Sequence, residues 1–170
     1  MEVYQIYQRH WAMVYRLCML YLKNEQDAQD GVQNIFLKLL EKKIAFRDQE
    51  HEKAWLIRTT KNYCLDELRS GWHEHRAALS EWKEQPQSEQ TQEENLLELV
   101  MGLPEKCREA LYLYYYEEYS VKEIARITGR RESTIQSRLA SGRKRIRKQI
   151  EQEGIYGREY LERCFRATES

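Results

Sequence analysis

The sequence predicts an all-α protein of two small helical domains joined by a flexible linker, the second domain built on a helix-turn-helix. Three observations carry this expectation. Apolar residues recur at steps of three and four over long stretches, the signature of helices with one buried face. Glycine and proline number only seven and two in 170 residues, too few turns for a sheet protein. One stretch, SEWKEQPQSEQTQ at residues 80–92, has little apolar content and is dominated by Gln, Glu and Ser, which reads as linker. The length admits one ordinary domain or two small ones, and 41% hydrophobic with 33% charged residues allows modest cores rather than disorder throughout.

The first helix runs from about Val3 to Leu22, with Tyr7, Trp11, Val14, Cys18 and Tyr21 on its apolar face. Asn24 can cap the second, with Asp27 and Asp30 near its positive end and Ala28, Val32, Ile35, Phe36, Leu39 and Leu40 along one stripe. The polar segment KKIAFRDQEHE then leads to a third helix of about Lys53 to Ser70, where Leu56, Thr60, Cys64 and Leu68 share a face, and Trp55 and Leu56 are expected in the core. After the linker, periodicity resumes at Leu96, Leu97 and Val100, breaks at Gly102 and restarts behind Pro104 with Cys107, Leu111 and Tyr114. Two further helices, Ser120 to Thr128 and Glu132 to about Gln152, flank Gly129-Arg130-Arg131.

Within VKEIARITGRRESTIQSRLA, Ala125 occupies a helix crossing that admits only a small side chain, and Gly129 takes a turn where positive φ is easiest. Ile124 and Ile135 lock the two helices together. The second helix would present Thr134, Gln136, Ser137, Arg138, Ser141 and Arg143 away from the core, residue types that read base edges or hold phosphates. Charge segregates to match: residues 119–150 carry ten Lys and Arg against two Asp and Glu, while residues 80–118 carry three against ten, within a chain of zero net charge. One basic module in a neutral protein suits a local contact with a polyanion.

The sequence also excludes several classes. No run of 18 apolar residues exists and the N-terminus lacks a basic-then-apolar order, so neither membrane insertion nor signal-directed export is expected, and the cytoplasm is. Cys18, Cys64, Cys107 and Cys164 are widely spaced, and His73 and His75 have no further ligands nearby, so no metal is expected. No phosphate loop, GxSxG or HExxH occurs, which points away from an enzyme, and no cofactor is implied.

The segments DAQDGVQNIFLKLL, AWLIRTTKNYCLDELRS, LPEKCREALYLYYYEEYSVKEIARITG and STIQSRLASGRKRIRK, in this order over residues 4–150, resemble the bacterial extracytoplasmic-function sigma factors of the sigma-70 family. The resemblance implies a region 2 domain at 1–79, a linker at 80–94, a region 4 domain at 95–152 and a tail at 153–170. It implies core RNA polymerase and promoter DNA as partners, with an anti-sigma factor as a further one. Asp27, Asp30, Gln33 and Phe36 match the polymerase-docking positions. Phe46, Arg47, Arg58, Lys61, Asn62, Tyr63 and Arg69 supply the basic, polar and aromatic groups that −10 recognition and melting need. Arg131, Thr134, Gln136, Ser137, Arg138, Ser141, Arg143 and Lys144 are the −35 candidates. Ser141-Gly142 departs from the Arg-Ala common in the family, placing a helix-weakening glycine past the reading face. On the residues alone, a dimeric operator-binding regulator with residues 1–79 as its sensory or dimerising part stays open, as does a helical scaffold.

Overall fold

The computed structural model describes residues 2–70 and 98–153. The chain divides into two units, Met1–Lys83 and Glu84–Ser170. The segments expected as linker, 80–94, and as tail, 153–170, lie outside the described residues except for Glu153 at the end of the last helix.

The first unit is a three-helix core of α1 (Glu2–Leu22), α2 (Glu25–Lys42) and α3 (Gln49–Arg69), each packed on the other two. A two-residue turn reverses the chain between α1 and α2. Lys23 takes positive φ there, and the Asn24 side chain accepts from the Asp27 N–H at 2.9 Å, as its position before the helix predicted. Leu17, Cys18 and Leu20 from α1, Ala28, Ile35 and Leu39 from α2, and Leu56, Ile57, Thr60 and Cys64 from α3 are buried. The Thr60 hydroxyl is satisfied by donating to the Leu56 carbonyl at 2.6 Å.

Three expectations need correction. Tyr7 and Trp11, read as core, are 41% and 46% exposed, and Leu40 is 52% exposed. These side chains flank the α1–α2 contact rather than fill it; Tyr7 meets Phe36 edge-on at 4.9 Å. Helix α3 starts at Gln49, four residues earlier than its apolar pattern, because Asp48 caps it by accepting from the His51 N–H at 2.7 Å. Trp55 is only partly buried, its ring 5.8 Å from that of Phe46.

In the second unit, residues 98–101 are helical, Gly102 follows, and α4 (Glu105–Leu111) begins directly after Pro104. The chain then winds into one π-helical turn, Tyr112–Tyr116. A π turn holds more residues than an α turn and so shifts which side chains face inward. Cys107 and Leu111 are accordingly buried as expected, whereas Tyr114 is half-exposed and Tyr112 and Leu113 take the core. Ser120 and Glu123 form a reciprocal capping box at the start of α5 (Val121–Thr128). Gly129, at φ +68°, ends α5 in the left-handed conformation that a glycine adopts without a Cβ clash. Helix α6 (Glu132–Glu153) then packs on α4 and α5.

Ile124, Ile135, Leu139 and Ile146 are all at most 1% exposed, each stabilising by roughly 2 kcal/mol through burial. Helix α6 comes close to α4 at Gly142, where a Cβ would come within 3.1 Å of Leu111 Cγ. The glycine is therefore buried at a helix crossing, and packing is the physical reason for its presence.

Candidate nucleic-acid and polymerase interface

Three surfaces carry the candidate residues. On α2, Gln33 is exposed, with Leu37 and Leu40 at the next two positions of the same helical stripe, 54% and 52% exposed. Asp30 is half-buried; its carboxylate accepts from Gln26 at 3.2 Å and its carbonyl from the Asn34 amide at 2.9 Å. Asp27 and Phe36, by contrast, are buried at 5% and 6%. Phe36 therefore contributes to the surface mainly by supporting Tyr7, which stands on α1 with the exposed Tyr4 and Trp11. Sequence reasoning missed Leu37 and Leu40 because an exposed leucine leaves no periodic mark distinguishing it from core.

The second surface is the turn before α3 and the outer face of that helix. Arg58, Asn62 and Arg69 are exposed along one stripe, with Lys61 half-buried beside it. Arg69 is 3.9 Å from the Asp66 carboxylate, and both are so exposed that water screens the pair. Arg47 is exposed. Phe46 is half-buried, edge-on to both His51 and Trp55. Tyr63 is turned elsewhere. Its ring lies over Gly31 of α2, its hydroxyl accepts from the Asn34 amide at 3.2 Å, and burial, then the charge of Glu67, pushes its phenol above the usual value. The structure thus separates Tyr63 from the Arg58 stripe and brings Trp55 and His51 to the turn in its place.

The third surface is α6. Arg131, Gln136, Ser137, Ser141 and Lys144 are exposed, and Thr134 and Arg138 half-exposed, while Ile135, Leu139 and Ile146 fill the opposite side. Arg143 differs from expectation. Its Nε donates to the Tyr115 hydroxyl and its guanidinium lies 5.6 Å from the ring centres of both Tyr114 and Tyr115. Stacking and a charge-assisted bond of this kind hold the side chain against its own domain. Lys122 and Arg126 on α5 are exposed cations that base-reading logic passed over, although they belong to the same basic segment.

A helix-turn-helix with a polar, basic second helix, beside a separate three-helix unit bearing aromatic and basic groups, defines a DNA-binding transcription protein of two modules. The model for Sigma-70 region 2 matches residues 6–74 and that for Sigma-70 region 4 matches residues 93–146. The chain is 31% identical over 146 residues to the ECF RNA polymerase sigma factor SigM of Mycobacterium tuberculosis, covering 84% of this chain and 74% of that one. It is 30% identical over 147 residues to the RNA polymerase sigma factor SigV of Bacillus subtilis, covering 83% and 86%. Among solved structures, the sigma factor RpoE, crystallised with the anti-sigma factor NepR from Bartonella quintana, shares the fold with a TM-score of 0.68 at 20% identity, over 89% of this chain and 98% of that one. The chain belongs to the extracytoplasmic-function sigma factors of the sigma-70 family. It is a transcription-initiation factor that directs RNA polymerase to promoters, and not an enzyme. Among the described residues, no helix is long and apolar enough to cross a membrane.

Proposed function

We propose that the first unit docks on core polymerase through α2 and opens the −10 element through the turn before α3, while α6 of the second reads the −35 element. The observation that carries the −35 assignment is α6 itself: Gln136, Ser137, Ser141 and Lys144 stand exposed on the side opposite the buried Ile135, Leu139 and Ile146. Such a helix, entering a major groove, offers amide and hydroxyl groups to base edges and cations to the flanking phosphates. Gln33, Leu37 and Leu40, extended by Tyr4, Tyr7 and Trp11, give polymerase an apolar and aromatic surface of the kind that receives a partner helix. Asp27 and Asp30 add negative charge to the start of α2, and Phe36 holds Tyr7 in place.

On this reading Phe46 and Arg47, with Trp55 beside them, meet an unstacked −10 base, and Arg58, Lys61, Asn62 and Arg69 track the strand. Tyr63 supports α3 from the α2 side, and Arg143 braces α6 rather than reading a base. The protein works in the cytoplasm, the compartment of chromosome and polymerase. An anti-sigma factor covering the α2 surface is a further partner, as the resemblance implies and as the NepR-bound relative illustrates for its own case.

The test is run-off transcription with bacterial core polymerase over a pool of genomic promoter fragments, with and without the protein. Transcripts from defined starts that require the protein, and a stable complex with core, are the expected result. A sequence-specific duplex shift by the free chain, with no stimulation of core, would overturn the reading in favour of an operator-binding regulator.

A further inference from the structure

We propose that His51 is a positioning residue for the −10 turn: its imidazole serves as the acceptor of a histidine-based capping box that holds Phe46 and Arg47 in place. The proposal rests on the reading of that turn given above.

Helix α3 starts after Asp48, whose Oδ1 accepts from the N–H of the third helical residue, His51, at 2.7 Å. In the common form of such a box the third residue is Glu or Gln, and its side chain reaches back to a backbone N–H that the helix leaves without a partner. The second unit has that form, with Ser120 and Glu123. Here the third residue is a histidine. Its Nδ1 lies 3.2 Å from the N–H of Arg47, one residue before the cap. A backbone N–H can only donate, so Nδ1 is the bare nitrogen and the ring proton sits on Nε2.

The same ring meets Phe46 edge-on, centres 5.4 Å apart at 85°, and Phe46 in turn meets Trp55. One side chain therefore fixes two consecutive candidates by different means, Arg47 through its main chain and Phe46 through its ring. A base extruded from the duplex needs a receiving surface already in position, since every group ordered at the moment of capture costs conformational entropy. His51 supplies that order in advance.

The experiment uses holoenzyme assembled from core polymerase and the full chain, on a promoter found by run-off transcription. It reads thymine reactivity to permanganate across the −10 element, with −35 protection measured in parallel. H51F keeps a ring beside Phe46 and loses the acceptor; H51Q loses the ring and restores an acceptor of the usual type. The expected result is that H51F melts about fivefold less, the effect of one lost hydrogen bond, with −35 protection unchanged, and that H51Q recovers most of the loss. Melting by H51F equal to wild type, or failure of H51Q to recover a folded H51F's loss, would each overturn the proposal. If wild-type holoenzyme melts no promoter, the underlying functional reading fails, and the proposal with it.

Discussion

Replacing Gly142 by alanine should destabilise the second unit, and the sign of the effect is the informative part. At a solvent-facing helix position this change stabilises by about 1 kcal/mol, because alanine loses less backbone entropy on folding. Gly142 is instead buried where α6 crosses α4. A Cβ there would lie 2.5 Å from Leu111 Cδ1, 3.1 Å from its Cγ and 3.4 Å from Cys107 Cβ. Leu111 is 1% exposed, so its side chain cannot swing aside without displacing other core groups. Overpacking of this size costs about 1–3 kcal/mol, which against the propensity gain of about 1 kcal/mol leaves a net loss of about 1 kcal/mol. Urea unfolding in a W72F/W82F background separates the two units, because the two remaining tryptophans, Trp11 and Trp55, stand on α1 and α3 of the first, while far-ultraviolet circular dichroism reports both. The dichroism midpoint attributable to the second unit should fall, with the fluorescence transition unmoved and the slope unchanged. A midpoint that rises, as for an exposed helix glycine, would refute the close-packing argument and return Gly142 to the role of a mere helix-weakener.

Other consequences are open to direct measurement. Glu52 is 5% exposed and accepts from Arg9 at 2.9 Å and 3.0 Å and lies 2.8 Å from His10 Nε2, so E52Q should destabilise the first unit by about 2 kcal/mol, seen as a lower urea midpoint in tryptophan fluorescence; no change would mean that water already serves these groups. Ala at Lys144 should weaken −35 duplex binding evenly across sequences and reduce the salt slope by about one, whereas Ala at Gln136 should relax discrimination at one base pair by about 1–3 kcal/mol; equilibrium binding of holoenzyme to −35 variants at several salt concentrations distinguishes them. The raised phenol of Tyr63 favours the folded state with that group protonated. Its contribution is present in full below the ordinary value of 10.0 and is lost as pH rises through the raised one. An ultraviolet titration of Y63F should accordingly lack one late-ionising tyrosine.

Much of this architecture was legible in the residues because its causes are local. Asn24 before an amphipathic run and Gly129 after Thr128 each satisfy a backbone need within one turn of chain, and each does so in the structure. The three-helix unit, the helix-turn-helix and the exposed Gln136, Ser137 and Lys144 follow from periodicity and turn chemistry together. The family assignment drew on the order of several such segments, and the comparisons agree with it.

What the tertiary structure alone decided are the matters that depend on a distant neighbour. The sequence assigned Tyr7, Trp11 and Leu40 to core because a period of three to four marks a face without marking its edges, and only the placement of α1 against α2 shows where cover ends. The contacts of Arg143 are set by the π turn, which brings Tyr114 and Tyr115 to it from 29 and 28 residues away in sequence, and those of Tyr63 by Asn34 of α2, which donates to its hydroxyl. Gly142 seemed a weakness of its own helix and is a contact of another. Local hydrogen-bond needs are written in neighbouring residues, but burial and the direction of a long polar side chain are set by whatever element the fold lays beside it.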